Sequence, residues 1–347
     1  MPSAATIFPA TRSGLRLGLG GAPLGNLFAA VPQQQADALL QGALQDAQSL
    51  DTAPHYGQGL SEHRMGQALR TLPRESFALS TKVGRLLTPD ANAPSEQNSY
   101  VDCLPFTQRW DFSAEGVRRS VEDSLQRLGL ARLDAVYIHD CDAQTHGARY
   151  PQVLRSVVEK CLPELHAMRR EGLLRHIGLG VNDVQVCLDV LRAAPATQSI
   201  DCLMLAGRYS LIDHCALAEL LPLCVQRGMR IALGGVFNSG ILATGVRRLG
   251  AQGSARFNYA PASAHWLERV DAIEGVCAEY SVPLRAAALQ FPLAHPAVDI
   301  VMVGARHIDE WTDAMAMMRH TIPEAFWQAL RSRNLLPDYA PTPELTT

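Results

Sequence analysis

The chain has 347 residues, 47% of them hydrophobic and 19% charged, with a formal net charge of -3. That length holds one large domain or two ordinary ones, and that charge gives no pull toward nucleic acid or an anionic membrane. No apolar run is long enough to span a bilayer and the opening MPSAATIFPATRSG lacks the apolar core of a signal peptide, so cytoplasmic residence is expected.

In chain order, short runs rich in Val, Ile, Leu and Ala alternate with stretches of helical period, the pattern of parallel β/α units. Strands are expected at 15–21, 49–53, 77–83, 133–139, 176–181, 202–207, 230–235 and 299–304. Helical patterns occupy 33–47, 114–130, 150–172, 214–228 and 265–280, with a further helical run at 284–296 and a last helix at 321–335. Eight such units point to a single (β/α)8 TIM barrel of class α/β filling residues 1–347. A two-domain dinucleotide-binding chain is the rival, but LGLGGAPLG does not give the GxGxxG that opens a helix with an acid about twenty residues on. Two long loops interrupt the rhythm, 85–112 after the third strand and 236–263 after the seventh. Both leave the C-terminal ends of strands, where barrels build lids and specificity pockets. The tail from residue 337 is expected to hang loose or to pack over the barrel. The eight cysteines form no CxxC pair and read as dispersed, reduced, mostly packed thiols.

On this map Asp51 and Tyr56 lie at or just past the second strand, Lys82 at the end of the third, and His139 at the end of the fourth. Taken singly, each has an ordinary explanation: an acid that caps a turn, a half-exposed phenol, a snorkelling lysine, a satisfied histidine. Together they make a proton-transfer device. A phenol near pKa 10 must move by up to about three units, roughly 4 kcal/mol, to work at neutral pH. An ammonium about 4 Å away supplies ~4 kcal/mol at an effective dielectric of 20. Lys82 is therefore expected to lower the Tyr56 pKa, Asp51 to hold the lysine charged and aimed, and His139 to orient the substrate oxygen.

The D-x4-Y of DTAPHYG, with STKVG and YIHD at this spacing, resembles the aldo-keto reductase superfamily and its Asp, Tyr, Lys, His tetrad. More narrowly, LGLGGAPLGNLF, SLQRLGL, LAGRYSLID and GGVFNSGIL look like the D-threo-aldose 1-dehydrogenase group, which includes L-fucose dehydrogenases. The resemblance implies an extended NAD or NADP lying across the strand ends. Carried over by position, Gly21 and Asp51 line its path and Asn182 meets the nicotinamide amide. Ala206 stands where the family usually has Gln. The stacking Tyr after the seventh strand is missing from ALGGVFNSG, so Gly235, Phe237, Asn238 and Gly240 are expected to line the ring and pyrophosphate. Gly304, Arg306 and Glu310 fall on the adenosine end. A carboxylate at Glu310 repels a 2'-phosphate and favours NAD, whereas Arg306 argues for NADP.

The resemblance further implies oxidation of C1 of an aldose to its lactone, with Tyr56 taking the anomeric proton. Trp110 and Phe106 of the first long loop offer an apolar platform for the sugar or, equally, an anchor for the loop. The alternative on the same tetrad is a pyridoxal or small-aldehyde dehydrogenase or reductase. Two rivals of other classes are a metal-dependent hydrolase built on His55, His63 and His139 with Asp140, and a cofactor-binding protein without turnover. No metal is expected. The partner implied is a small-molecule sugar or aldehyde, with no nucleic acid and no membrane, and the chain a monomer or small homo-oligomer.

Overall fold

Eight short runs pair in parallel, each hydrogen-bonded to its neighbour in the chain and the last to the first, closing a barrel. In this computed structural model, which describes residues 7–247 and 255–344, the strands are β1 (Leu17–Gly20), β2 (Ser49–Asp51), β3 (Ala78–Val83), β4 (Leu133–His139), β5 (Leu174–Val181), β6 (Cys202–Ala206), β7 (Arg230–Gly234) and β8 (Val298–Gly304). All eight expected strands are present, with no end moved by more than two residues.

Alternation along each strand sends every second residue into the barrel. Ala135 and Tyr137 of β4, Met204 of β6, Ala232 of β7 and Ile300 and Met302 of β8 fill the interior, with Phe8 stacked against Tyr137. The opposite face of the strands packs on the surrounding helices through one large cluster containing Leu79, Val136, Ile177, Leu203 and Val301. Local chemistry sets the helix ends. Ser113 accepts from the Gly116 amide at 3.1 Å to start Ala114–Leu128, and Gly129, at φ 65°, stops it.

Several expectations change. The loop after β3 is not irregular: Arg85–Pro89 and Phe106–Trp110 form an antiparallel hairpin. The loop after β7 carries a smaller one, Arg256–Phe257 with Ala260–Pro261, while its residues 248–254 lie outside the described residues. Proline reshapes several helices, because it cannot donate to the helical ladder. The run at 284–296 is helical only over Leu284–Gln290, with Pro292 in a following 3-10 turn, and the last helix is Glu324–Ser332, begun after Pro323. The run at 150–172 is widened by a π turn, Val157–Cys161, just before Pro163. The run at 214–228 is helical only over Leu220–Arg227, because Ser210 and Asp213 first close a side-chain-bonded turn. The tail packs as far as Ala340, buried like Leu335 and Leu336, and residues 345–347 lie outside the described residues. Among the described residues no helix is long and apolar enough to cross a membrane. None of the eight cysteines is bonded, and six of them are buried.

Candidate active site

Asp51 ends β2, Lys82 lies next to last in β3, and His139 ends β4, so three neighbouring strands present their side chains at one mouth of the barrel. The Lys82 ammonium donates to Asp51 Oδ2 at 2.6 Å and to the Thr52 carbonyl at 2.8 Å. Asp51 also accepts from Ser80 Oγ at 2.7 Å. The Lys82 nitrogen stands 4.6 Å from the centre of the Tyr56 ring. His139 meets that ring edge-on, with centroids 6.4 Å apart.

The turn that carries Tyr56 is braced by its own short sequence. Thr52 and Ser61 share a hydrogen bond of 2.9 Å, and Ser61 donates onward to the Gly21 carbonyl at 2.8 Å. Gly57, at φ 65°, runs so close to Gly25 that a Cβ on Gly57 would sit 3.0 Å from the Gly25 Cα. Lys82 needs similar room on its other side. A Cβ on Gly180 of β5 would stand 3.5 Å from its side-chain carbons and 3.0 Å from the Tyr137 Cβ.

The electrostatics differ from the sequence expectation at one point. Burial pushes the Tyr56 phenol well above its ordinary value, and the Asp51 carboxylate adds to the rise. The lysine charge does not reverse this rise, because it is already paired with Asp51 across 2.6 Å and the Asp51 field opposes it at the phenol. Burial also raises Asp51 itself, with Lys82 working against the rise. His139 is held neutral: burial takes it well below the usual imidazole value, and Arg85 and Lys82 push the same way. His55 is driven down to about 3 by burial and by Arg85.

Several site residues escaped the sequence reading. Arg85 follows directly on STKVG, and its place opposite Trp110 in the hairpin lays its guanidinium 3.9 Å from the ring centre. It donates to Asp140 at 2.6 Å and to Gln108 at 3.0 Å, and Gln108 in turn meets His55 at 3.0 Å. Tyr100 stacks on Tyr56, with centroids 6.0 Å apart. Tyr259, in the hairpin of the second loop, is 48% exposed, and its phenol adds to the rise of Tyr56. The only signal for these residues was polar and aromatic side chains within the two long loops. Trp110 belongs to this cluster, but Phe106 does not. It pairs with Pro89 at the far end of the hairpin, four residues from Trp110 and so roughly 13 Å away.

Most residues expected at the cofactor share the same rim. Asn182 follows β5, and its carbonyl accepts from Arg208 at 2.6 Å. Asn238 is buried, its amide donating to the Gly207 carbonyl at 3.1 Å while its own Oδ1 has no partner. That orphaned acceptor fits a bound group with an N–H or O–H to offer, as a nicotinamide dinucleotide has. Gly235 and Gly240 adopt φ of 59° and 103°, and Phe237 is half-buried between them. Gly21 and Gly304 are glycines for packing reasons as well: a Cβ would meet the Asp51 carbonyl at 2.8 Å in the first and the Pro23 ring at 2.7 Å in the second. Arg306 and Glu310 bind each other, through Nη2 at 2.6 Å and through the Arg306 amide at 2.8 Å. The metal-hydrolase rival lacks its geometry. Among the described residues no three His, Cys, Asp or Glu side chains stand close enough to share a metal ion.

With this geometry in hand, comparison with known proteins gives a consistent match. The family model described as aldo/keto reductase family aligns with residues 16–334. Pyridoxal 4-dehydrogenase of Microbacterium luteolum is 40% identical, over 92% of this chain and 94% of its own. D-threo-aldose 1-dehydrogenase of a Pseudomonas species is 36% identical, again over 92% of this chain and 94% of its own. Among solved structures, the glycerol dehydrogenase of Gluconobacter oxydans superposes with a TM-score of 0.71 at 20% identity, covering 100% of this chain and 99% of that one, a likeness of fold.

Proposed function

The chain belongs to the aldo/keto reductase family, and from that premise we propose that it is a nicotinamide-dependent dehydrogenase acting on the cyclic hemiacetal of an aldehyde to give a lactone. The observation that carries this reading is the Asp51–Lys82 ion pair set beneath the Tyr56 ring, with neutral His139 at its edge. Bound, the oxidised cofactor supplies the hydride acceptor and a positive charge.

The chain's own residues do the rest. Tyr56 takes the hydroxyl proton as the substrate's C–H bond breaks, and in the reverse direction gives it back. Because the phenol is raised in the free protein, it stands ready as an acid, and oxidation needs the minority phenolate. Lys82 steadies that phenolate at close range, and Asp51 fixes the lysine in place. His139, neutral and so both donor and acceptor, donates one N–H to the substrate oxygen and sets its direction.

Asn182, Gly235, Phe237, Asn238, Gly240, Gly304, Arg306 and Glu310 would hold the cofactor. Glu310 ties up Arg306, so no free cation of that pair awaits a 2'-phosphate, which favours NAD over NADP. The preferred substrate is an L-fucose-like aldose in the D-threo configuration, in line with the 36% relative. Pyridoxal is the second reading, favoured by the 40% relative and by the aromatic wall of His55, Tyr100 and Trp110. Pyridoxal also carries a hydroxymethyl group able to close on its aldehyde. A panel of L-fucose, D-arabinose, L-galactose and pyridoxal, run with NAD and with NADP, should show reduction of NAD with at least one of them. Inactivity toward all four with both cofactors would remove the proposal.

A further inference from the structure

A second charged pair stands at the barrel mouth, and the tetrad makes no use of it. Arg85, first residue after the turn that leaves β3, donates to Asp140 Oδ2 at 2.6 Å. Their side chains are only 12% and 20% exposed. Three neighbours fix the guanidinium: Asp140, Gln108 and the Trp110 ring beneath it. Its Nε is buried without a partner.

Asp140 directly follows His139 and holds a φ of 42°, in the left-handed region that side-chain-bearing residues avoid. Its backbone is pinned there, the amide donating to the Gly180 carbonyl at 3.1 Å and the carbonyl meeting His146 Nε2 at 2.9 Å. The result is a carboxylate whose Oδ2 lies 3.5 Å from His139 Nε2. His139 is neutral, so this proximity is not an ion pair that the fold needs. The other oxygen, Oδ1, accepts no hydrogen bond from any described residue. The imidazole and a carboxylate with one oxygen left free therefore stand side by side at the barrel mouth. Such adjacent groups are able to engage two oxygens on neighbouring carbons, one accepting from the imidazole and one donating to the acid.

We propose that Asp140, held by Arg85, determines substrate specificity: its free oxygen accepts a hydrogen bond from a hydroxyl on the carbon next to the one His139 serves. The inference rests on the dehydrogenase reading above and narrows it to vicinal hydroxy-hemiacetals, the aldose class. Pyridoxal has no hydroxyl on the carbon adjacent to its aldehyde carbon. A carboxylate or phosphate at that position would be repelled, since Arg85 is already spoken for by Asp140 and Gln108.

The test compares kcat/KM on L-fucose, 2-deoxy-L-fucose and pyridoxal for the native protein and for Asp140→Asn, which keeps size and loses the charge. The native protein should favour L-fucose over its 2-deoxy form by about tenfold or more, the range of a hydrogen bond to a charged acceptor. Asp140→Asn should lose about 10- to 100-fold on L-fucose and at least tenfold less than that on 2-deoxy-L-fucose. Equal losses on both sugars would overturn the proposal and make Asp140 a positioning residue for His139. So would a native protein indifferent to the 2-hydroxyl, a comparison that does not depend on the variant folding. Turnover of pyridoxal alone would overturn it while leaving the dehydrogenase reading intact, and turnover of none of the three would sink both.

Discussion

Lys82 makes two hydrogen bonds and one aromatic contact, and each joins it to a different part of the site: Asp51 to β2, Thr52 to the turn, and the Tyr56 ring to the group proposed to carry the proton. We expect Lys82→Met to lower turnover a hundredfold to ten-thousandfold at neutral pH, the range of a lost proton-transfer partner. Cofactor binding, followed by fluorescence titration, should change little. Equal weakening of both would assign the lysine to the cofactor instead. The raised Tyr56 pKa gives the pH dependence its sign. The phenol predominates at neutral pH and the phenolate fraction grows with pH, so oxidation should accelerate steadily from pH 6 to 9 in stopped-flow single turnovers. Reduction, which consumes the phenol, should not. A pH-independent oxidation rate over that range would contradict the role given to Tyr56.

At the scale of elements, the tetrad depends on how helix Leu60–Leu69 seats against β3 and helix Ala114–Leu128. Glu62 is fully buried between them, accepting from Arg127 at 2.6 Å and from Thr81 Oγ1 at 2.8 Å. Arg64, two residues on, gathers the incoming loop by donating to the Leu24 and Val31 carbonyls, both at 2.8 Å. Removing one partner of a buried ion pair leaves the other charge uncompensated, which costs about 3–5 kcal/mol. Glu62→Ala should therefore lower the unfolding free energy by an amount of that order, read as a lower urea midpoint, with loss of the Tyr56 turn before the barrel itself. An unchanged midpoint would mean that the pair contributes nothing net. The two long loops act at this scale too. By forming hairpins they hold Arg85, Gln108, Trp110 and Tyr259 in register over the mouth, which an irregular loop would not do.

For the molecule as a whole, histidine burial sets the response to acid. Eight histidines (His55, His63, His139, His146, His166, His176, His214 and His295) have folded values below the ordinary one, in every case chiefly through burial. A depressed folded pKa means that the unfolded chain takes up protons first, from about pH 6.5 downward, so stability falls as pH drops through that value. Asp51 and Asp140, raised by burial, act in the opposite sense, but they are two against eight. The urea midpoint should thus decline between pH 7.5 and 5.5. A flat or rising profile would show that these histidines stay neutral on unfolding or are hydrated in the fold.

How much of this was legible in the chain follows from what each feature depends on. Strand–helix alternation, the eight-unit count and the Asp51, Tyr56, Lys82 and His139 positions were readable because strand period and distance from a strand's end are local properties, and a closed parallel barrel puts all such ends on one rim. Trp110 and Phe106 looked equivalent in sequence. Only the register that pairs Trp110 with Arg85 and Phe106 with Pro89 separates them. The direction of the Tyr56 shift was likewise out of reach, since it depends on how deeply the hydroxyl is buried and on Asp51 having already claimed the lysine charge. By itself, then, the sequence determined the barrel and the four residues at its mouth, through periodicities and spacings that need no partner to be read. The tertiary structure alone decided which loop residues reach that mouth and what charges they carry there, because burial and pairing across distant segments are set by packing.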